Sequence, residues 1–175
     1  LLCLSKKTDI TNHPFYFHTL FDLNLETMKA DTLIKDDPYL NEAYYSPDKK
    51  QLLLIGSPNA FDGIGKNSGT HPIANDYDKQ AYLFDMVTRK VTPITRDFNP
   101  SVEFLQWNRT DGCIYFIATD EDCKNIYRYT PKKNVFEKLP LEEDVISSFS
   151  LPMDAPQMAA YIGGGNTSAG VGYTY

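Results

Sequence analysis

From Ser101 onward the chain alternates short apolar runs with tight polar turns. Ser101 to Trp107 is one such run. It ends at Asn108-Arg109-Thr110-Asp111-Gly112, where an Asp-Gly pair between apolar segments marks a hairpin. Cys113 to Ala118 is almost continuously apolar and too short for a typical helix, so it reads as a strand buried on both faces. After the turn Asp120-Glu121-Asp122, Ile126-Tyr127-Arg128-Tyr129 alternates as a half-buried strand does. Pro131-Lys132-Lys133-Asn134 turns the chain again. Val135 to Leu139 then carries Glu137 and Lys138, charges suited to an exposed outer edge. The stretch Phe104 to Pro140 therefore predicts one unit of short antiparallel strands, and no helix-period stripe of useful length occurs anywhere.

The same pattern recurs on both sides. Ala43-Tyr44-Tyr45 leads into Ser46-Pro47-Asp48-Lys49-Lys50, a type I turn composition, and then into the strand Gln51 to Ile55. Tyr45 and Trp107 lie 62 positions apart, and Trp107 and Phe149 lie 42 apart. The extra length sits in Gly56 to Lys79, a loop rich in Gly, Asn, Asp and Ser. Phe21 to Thr27, Met28-Lys29 and Ala30 to Ile34 match Tyr82 to Thr88, Arg89-Lys90 and Val91 to Thr95, with a small length difference expected near Asn24. His-Pro precedes each of these hairpins, at His13-Pro14 and His71-Pro72. At one edge, Leu1 to Leu4 compares with Leu52 to Ile55. At the other, Val145 to Leu151 leads through a turn at Met153 to Pro156 into Met158 to Gly163. Gly164 to Gly170 reads as a small-residue loop, and Gly172 to Tyr175 as the start of a strand.

Repetition on this scale is the mark of a propeller or another stacked array. The pattern predicts an all-β fold: a β-propeller fragment of four-stranded antiparallel blades, two complete and two partial, with approximate units 1–37, 38–99, 100–141 and 142–175. At about 40 to 50 residues per blade, a chain of 175 residues is short for a closed ring. Missing chain or another copy is then expected to supply the packing partners.

Composition narrows the function. A net charge of -6 argues against a nucleic-acid or anionic-membrane surface, because such surfaces need clustered Lys and Arg. No apolar run reaches the length of a membrane span. Cys3, Cys113 and Cys123 show no metal-ligand spacing, and the last two fall at opposite ends of a predicted hairpin, too far apart to bridge. His13, His18 and His71 lack the spacing of a metal set, so neither a metal nor any other cofactor is expected.

Three motifs resemble chemistry without meeting its requirements. Asn166-Thr167-Ser168-Ala169-Gly170 lacks the first Gly of a nucleophile elbow and the helix that should follow it. Gly63-Ile64-Gly65-Lys66-Asn67-Ser68-Gly69 puts Asn67 where a phosphate loop needs Ser or Thr. Asp120 to Asn125 begins like a calcium loop but places Lys124 at its fifth position. Tyr45, Trp107 and Phe149 share one repeat position and are expected in the core. No catalytic residue is assigned.

Units of the form aromatic-Ser-Pro-Asp-Lys-Lys plus an apolar strand, followed by Tyr82-Leu83-Phe84-Asp85-Met86-Val87-Thr88-Arg89-Lys90-Val91-Thr92-Pro93-Ile94-Thr95, resemble the repeats of TolB-type and prolyl oligopeptidase-type propellers. Tyr82 to Asp85, Thr95 to Phe98, Phe104 to Trp107 and Ile114 to Phe116 together are most similar to the dipeptidyl peptidase IV-like branch. That resemblance implies a propeller stacked on an α/β-hydrolase domain of the same parent chain, restricting the access of a peptide substrate to its Ser, Asp and His. A secreted or periplasmic location is expected with it, a cytoplasmic one being the alternative. A stand-alone TolB-like binding propeller, with self-association open to either, is the alternative. In the family, paired glutamates on a helical insertion hold a peptide amino terminus. Glu142-Glu143 lacks that context and reads as a solvated turn.

The remaining candidate binding site is the loop Gly56 to Lys79, because exposed loops on rigid scaffolds often carry recognition. Asp62, His71, Asp76 and Asp78 are its candidate residues. An insertion without a ligand is the other reading of so long a loop.

Overall fold

The computed structural model describes residues 1–67, 77–98, 100–152, 160–165 and 168–174. They form two compact units, Leu1–Asn99 and Pro100–Tyr175.

The first unit holds two antiparallel sheets. β1 (Leu2–Thr8), β2 (Tyr16–Asn24) and β3 (Lys29–Asp37) form a three-stranded sheet in sequence order. β4 (Leu40–Tyr45), β5 (Gln51–Gly56), β6 (Gln80–Asp85) and β7 (Val91–Pro93) form a four-stranded one. A single tight turn, α1 (Ala60–Gly63), with left-handed dihedrals at Phe61 and Asp62, lies between β5 and β6. The core of this unit joins the two sheets: Leu20 and Leu33 pack with Leu40, Leu52, Leu54, Tyr82 and Phe84. β5 is buried on both faces from Leu52 to Gly56, which explains its unbroken apolar run.

In the second unit β8 (Ser101–Trp107), β9 (Ile114–Asp120), β10 (Cys123–Thr130) and β11 (Val135–Lys138) pair antiparallel in order. β12 (Val145–Ser150), β13 (Ala160–Gly165) and β14 (Ser168–Thr174) make a second antiparallel set. One parallel residue pair, Lys124 with Val145, joins β10 to β12. Ile117, Ile126, Ile146, Phe149 and Tyr161 form the core between the two sets. The fold is thus all-β, built from four-stranded and three-stranded antiparallel sheets.

Turn chemistry sets the registers. Asn24 Oδ1 accepts the N–H groups of Glu26 and Thr27, and Asp85 Oδ1 accepts those of Val87 and Thr88. Met28 and Arg89 then take the left-handed conformation, with φ of 54° and 60°. Asn24 and Asp85, like Met28 and Arg89, are 61 positions apart. The small length difference expected near Asn24 is therefore absent. Thr130 to Asn134 closes the third such hairpin, with Asn134 at φ 53°.

The glycine segment differs from expectation. Gly164 and Gly165 lie in β13 and Ser168 to Gly170 in β14, with Gly165 paired to Ser168. Pairing in the hairpin overrides the low strand propensity of glycine. The turn expected at 153–156 and the Asn166-Thr167 pair lie outside the described residues. Cys113 sits beside Thr130 while Cys123 opposes Asp120, so the two thiols lie at opposite ends of one ladder, and all three cysteines are free. Phe149 is buried, whereas Tyr45 and Trp107 are only half-buried and use their polar edges on Asp22 and on the Gly112 carbonyl.

Candidate functional site

The long loop after β5 begins as a tightly held turn. Phe61, Asp62 and Gly63 have φ of 54°, 60° and 77°, three successive residues in the left-handed region. For Phe61 and Asp62 this conformation is unfavourable and needs outside support. The support comes from Asp37, at the end of β3. Its Oδ2 accepts the Phe61 N–H at 2.7 Å, and its Oδ1 accepts the N–H groups of Tyr39 and Leu40 at 2.8 and 2.9 Å. One buried carboxylate thereby ties the exit of β3, the start of β4 and the turn together.

Tyr82 on β6 completes the base. Its hydroxyl donates to the Ser57 carbonyl at 2.7 Å, and its ring meets Phe61 edge-on at 4.9 Å. Burial first, and the Asp37 charge second, push the Tyr82 phenol far above its ordinary value, so it remains a donor. Gly65 allows this approach, because a Cβ there would lie 2.1 Å from the Tyr82 hydroxyl. Gly56 is constrained in the same way, since a Cβ there would lie 2.9 Å from both Ala60 Cβ and the Tyr39 carbonyl oxygen.

The four residues expected to form a site fare differently. Asp62 is exposed on the left-handed turn, and Asp78 is half-buried. His71 and Asp76 lie outside the described residues. Asp62 stands on the turn after β5 and Asp78 two positions ahead of β6. Asp37 and Tyr82, which position the turn, went unnoticed in the sequence. Asp37 stands 24 positions from the amide it binds, and only the pair Asp36-Asp37 ahead of Pro38 hinted at a turn.

Other polar groups serve the fold. The buried hydroxyls Ser46, Ser57 and Thr95 accept the amides of Gln51, Asn59 and Ala81. Glu143 accepts the Tyr161 hydroxyl at 2.8 Å, a turn contact. His13 packs on Phe15, while His18 Nδ1 is buried without a hydrogen-bond partner. Among the described residues no three His, Cys, Asp or Glu side chains cluster as metal ligands would. No helix there is long and apolar enough to cross a membrane. A groove of about 700 Å3 lies beside Asn24, Glu26 and Lys49; two of its carboxylates are engaged, Asp22 accepting the Tyr45 hydroxyl and Asp31 pairing with Arg89.

No protein-family model matches the chain, and no curated protein matches it. Solved structures do. The β-propeller domain of the Trilobed protease from Pyrococcus furiosus is similar at 16% identity and a TM-score of 0.69, over 99% of this chain and 45% of that one. TolB from Acinetobacter baumannii is similar at 17% identity and a TM-score of 0.66, over 98% of this chain and 37% of that one. Pyrococcus horikoshii acylaminoacyl peptidase is similar at 17% identity and a TM-score of 0.68, over 99% of this chain and 24% of that one. The chain spans less than half the length of each. At these identities the likeness is one of fold, and the fold is that of a β-propeller. Propellers of peptidases and of TolB both share it.

Proposed function

We propose that this chain is the non-catalytic propeller portion of a serine exopeptidase of the prolyl oligopeptidase family, of the dipeptidyl peptidase IV-like type. In this reading it gates the access of peptides to an α/β-hydrolase domain of the same parent protein. The observation that carries the reading is the likeness in fold, over 99% of the chain, to the propeller domain of a protease. The commitment of the buried hydroxyls to backbone amides supports a non-catalytic role. Loops at one end of the blades, the turn at Phe61 to Gly63 among them, would meet the substrate or the hydrolase domain. Asp62 and Asp78 would take part, together with His71 and Asp76. A secreted or periplasmic location accompanies this reading.

The likeness to TolB, over 98% of the chain, favours a second reading, a protein-binding propeller without an enzymatic partner. Labelling with a fluorophosphonate probe separates the two. The peptidase reading expects the full-length parent to take the label and the 175-residue piece not to. A parent that takes no label and ends with its propeller would leave the binding module.

A further inference from the structure

Two Asp-Gly steps put an exposed aspartate in a turn, Asp62-Gly63 after β5 and Asp111-Gly112 between β8 and β9. On the glycine side the two are alike. The Gly63 N–H donates to the Asn59 carbonyl and the Gly112 N–H to the Asn108 carbonyl, both at 3.1 Å. Neither glycine is walled in by rigid groups. The atoms nearest the place a Cβ would take on Gly63 belong to the flexible Lys66 side chain, and around Gly112 nothing lies within 4 Å of that place.

The aspartates differ. Asp111 Oδ1 accepts the Cys113 N–H at 2.8 Å and Asp111 Oδ2 accepts the Tyr115 hydroxyl at 2.6 Å, so both carboxylate oxygens are committed. Among the described residues the Asp62 carboxylate accepts no hydrogen bond and makes no ion pair. Asp62 also holds φ 60° and ψ 25°, whereas Asp111 does not take a positive φ. A left-handed conformation at a residue with a side chain stores strain. One aspartate is thus free to turn on its backbone and strained, and the other is tied down and relaxed.

We propose that Asp62-Gly63 is a site of spontaneous isoaspartate formation, and that the fold protects Asp111-Gly112 from the same reaction. The Gly63 nitrogen attacks Asp62 Cγ and a C–N bond forms. The amide proton and one carboxyl oxygen leave as water, closing a five-membered succinimide. Water then opens the ring at the main-chain carbonyl, breaking its bond to the Gly63 nitrogen, and the chain now runs through Cβ and Cγ. The water lost is regained, so no other reactant is consumed. The product adds one atom to the main chain and releases residue 62 from its left-handed dihedral, so relief of strain favours it. The carboxylate moves in the process, and any contact made by Asp62 would decline as the protein ages. None of this depends on the peptidase reading.

The test ages the full-length protein at mildly acidic pH and physiological temperature, with and without denaturing urea. Peptide mapping with electron-transfer fragmentation, which distinguishes the two linkages, then measures isoaspartate at each step. In the folded protein it should form at 62 at least about tenfold faster than at 111, the weight of the two hydrogen bonds that the Asp111 carboxylate must give up. In urea the two rates should converge. Tyr115→Phe frees one oxygen of Asp111 and should speed the reaction there several-fold, while the rate at 62, a control for the fold, stays the same. Four results would each overturn the proposal: no isoaspartate at 62, equal or faster formation at 111 in the folded protein, a preference for 62 that persists in urea, or an unchanged rate at 111 in Tyr115→Phe.

Discussion

The Asp37 carboxylate accepts the backbone N–H of Phe61 at 2.7 Å, and so holds a left-handed turn that begins 24 positions further along the chain. Asp37→Ala would leave three amide groups without their acceptor, the buried one of Leu40 and the half-buried ones of Tyr39 and Phe61. Hydrogen bonds to a charged group carry more than neutral ones, so the expected loss is about 2–4 kcal/mol in urea unfolding. Asp37→Asn keeps one acceptor oxygen and should lose about half as much. Hydrogen exchange at the Phe61 amide should accelerate in both variants. Exchange as slow as in the wild type would show that the turn holds itself.

The close approach of Tyr82 to Gly65 gives a second prediction. Tyr82→Phe removes the donor to the Ser57 carbonyl and should cost about 1–2 kcal/mol. Gly65→Ala would drive a methyl group into the Tyr82 hydroxyl and the Gln80 amide oxygen, at a cost of about 1–3 kcal/mol. Because the phenol oxygen is part of both losses, the double variant should be less destabilised than the sum of the single ones. Strict additivity in denaturant titrations would contradict this contact.

The Asn24 and Asp85 turns should be exchangeable. Each side-chain oxygen receives the same two backbone amides, so Asn24→Asp and Asp85→Asn should each preserve the hairpin and shift the urea midpoint little, Asp85→Asn losing only what the charge adds and with it the acid-side dependence. Asp85→Ala loses those bonds and that of the Thr88 hydroxyl, and should lower the urea midpoint more than either exchange does. A large penalty for either exchange would mean that the two hairpins are not equivalent.

Stability should fall at alkaline pH. Burial, and then the bond to Asp111, raise the Tyr115 phenol to about 12; burial, and then Glu143, do the same for Tyr161. The unfolded chain loses these protons near the ordinary value of 10.0, the folded one only near 12. Their contribution is complete below 10 and is lost as pH rises through that window. At the acid end the sign reverses. Asp85 is held below the ordinary 3.8, first by the Thr88 amide, so its contribution is present above that value and disappears as pH falls past it. Urea midpoints measured across both windows should trace a plateau with two falling edges, and Tyr115→Phe should soften the alkaline edge.

The repeats were legible because turn residues and apolar runs act locally. Ser101 to Trp107 was bounded correctly as a strand, since its Asn108 turn and its apolar face are both explicit. β10 began earlier than its apolar run, at Cys123, because Cys123 to Asn125 join the ladder through backbone bonds to Ala118 to Asp120 and need no apolar side chain. The loop after β5 was legible as an insertion, but its construction was not. Phe61 and Asp62 carry no sign of positive φ, and only the adjacent Gly63 hinted at one. The anchoring Asp37 depends on a contact 24 positions further along, which a sequence read locally does not reveal.

The most direct test of the account is to follow hydrolysis by the full-length parent protein of a short peptide and of a long folded polypeptide with the same cleavable sequence. A gating propeller predicts that the short peptide is cleaved and the folded one excluded, with cleavage abolished by a fluorophosphonate. Cleavage of both at comparable rates, or of neither by a parent that takes no label, would contradict it.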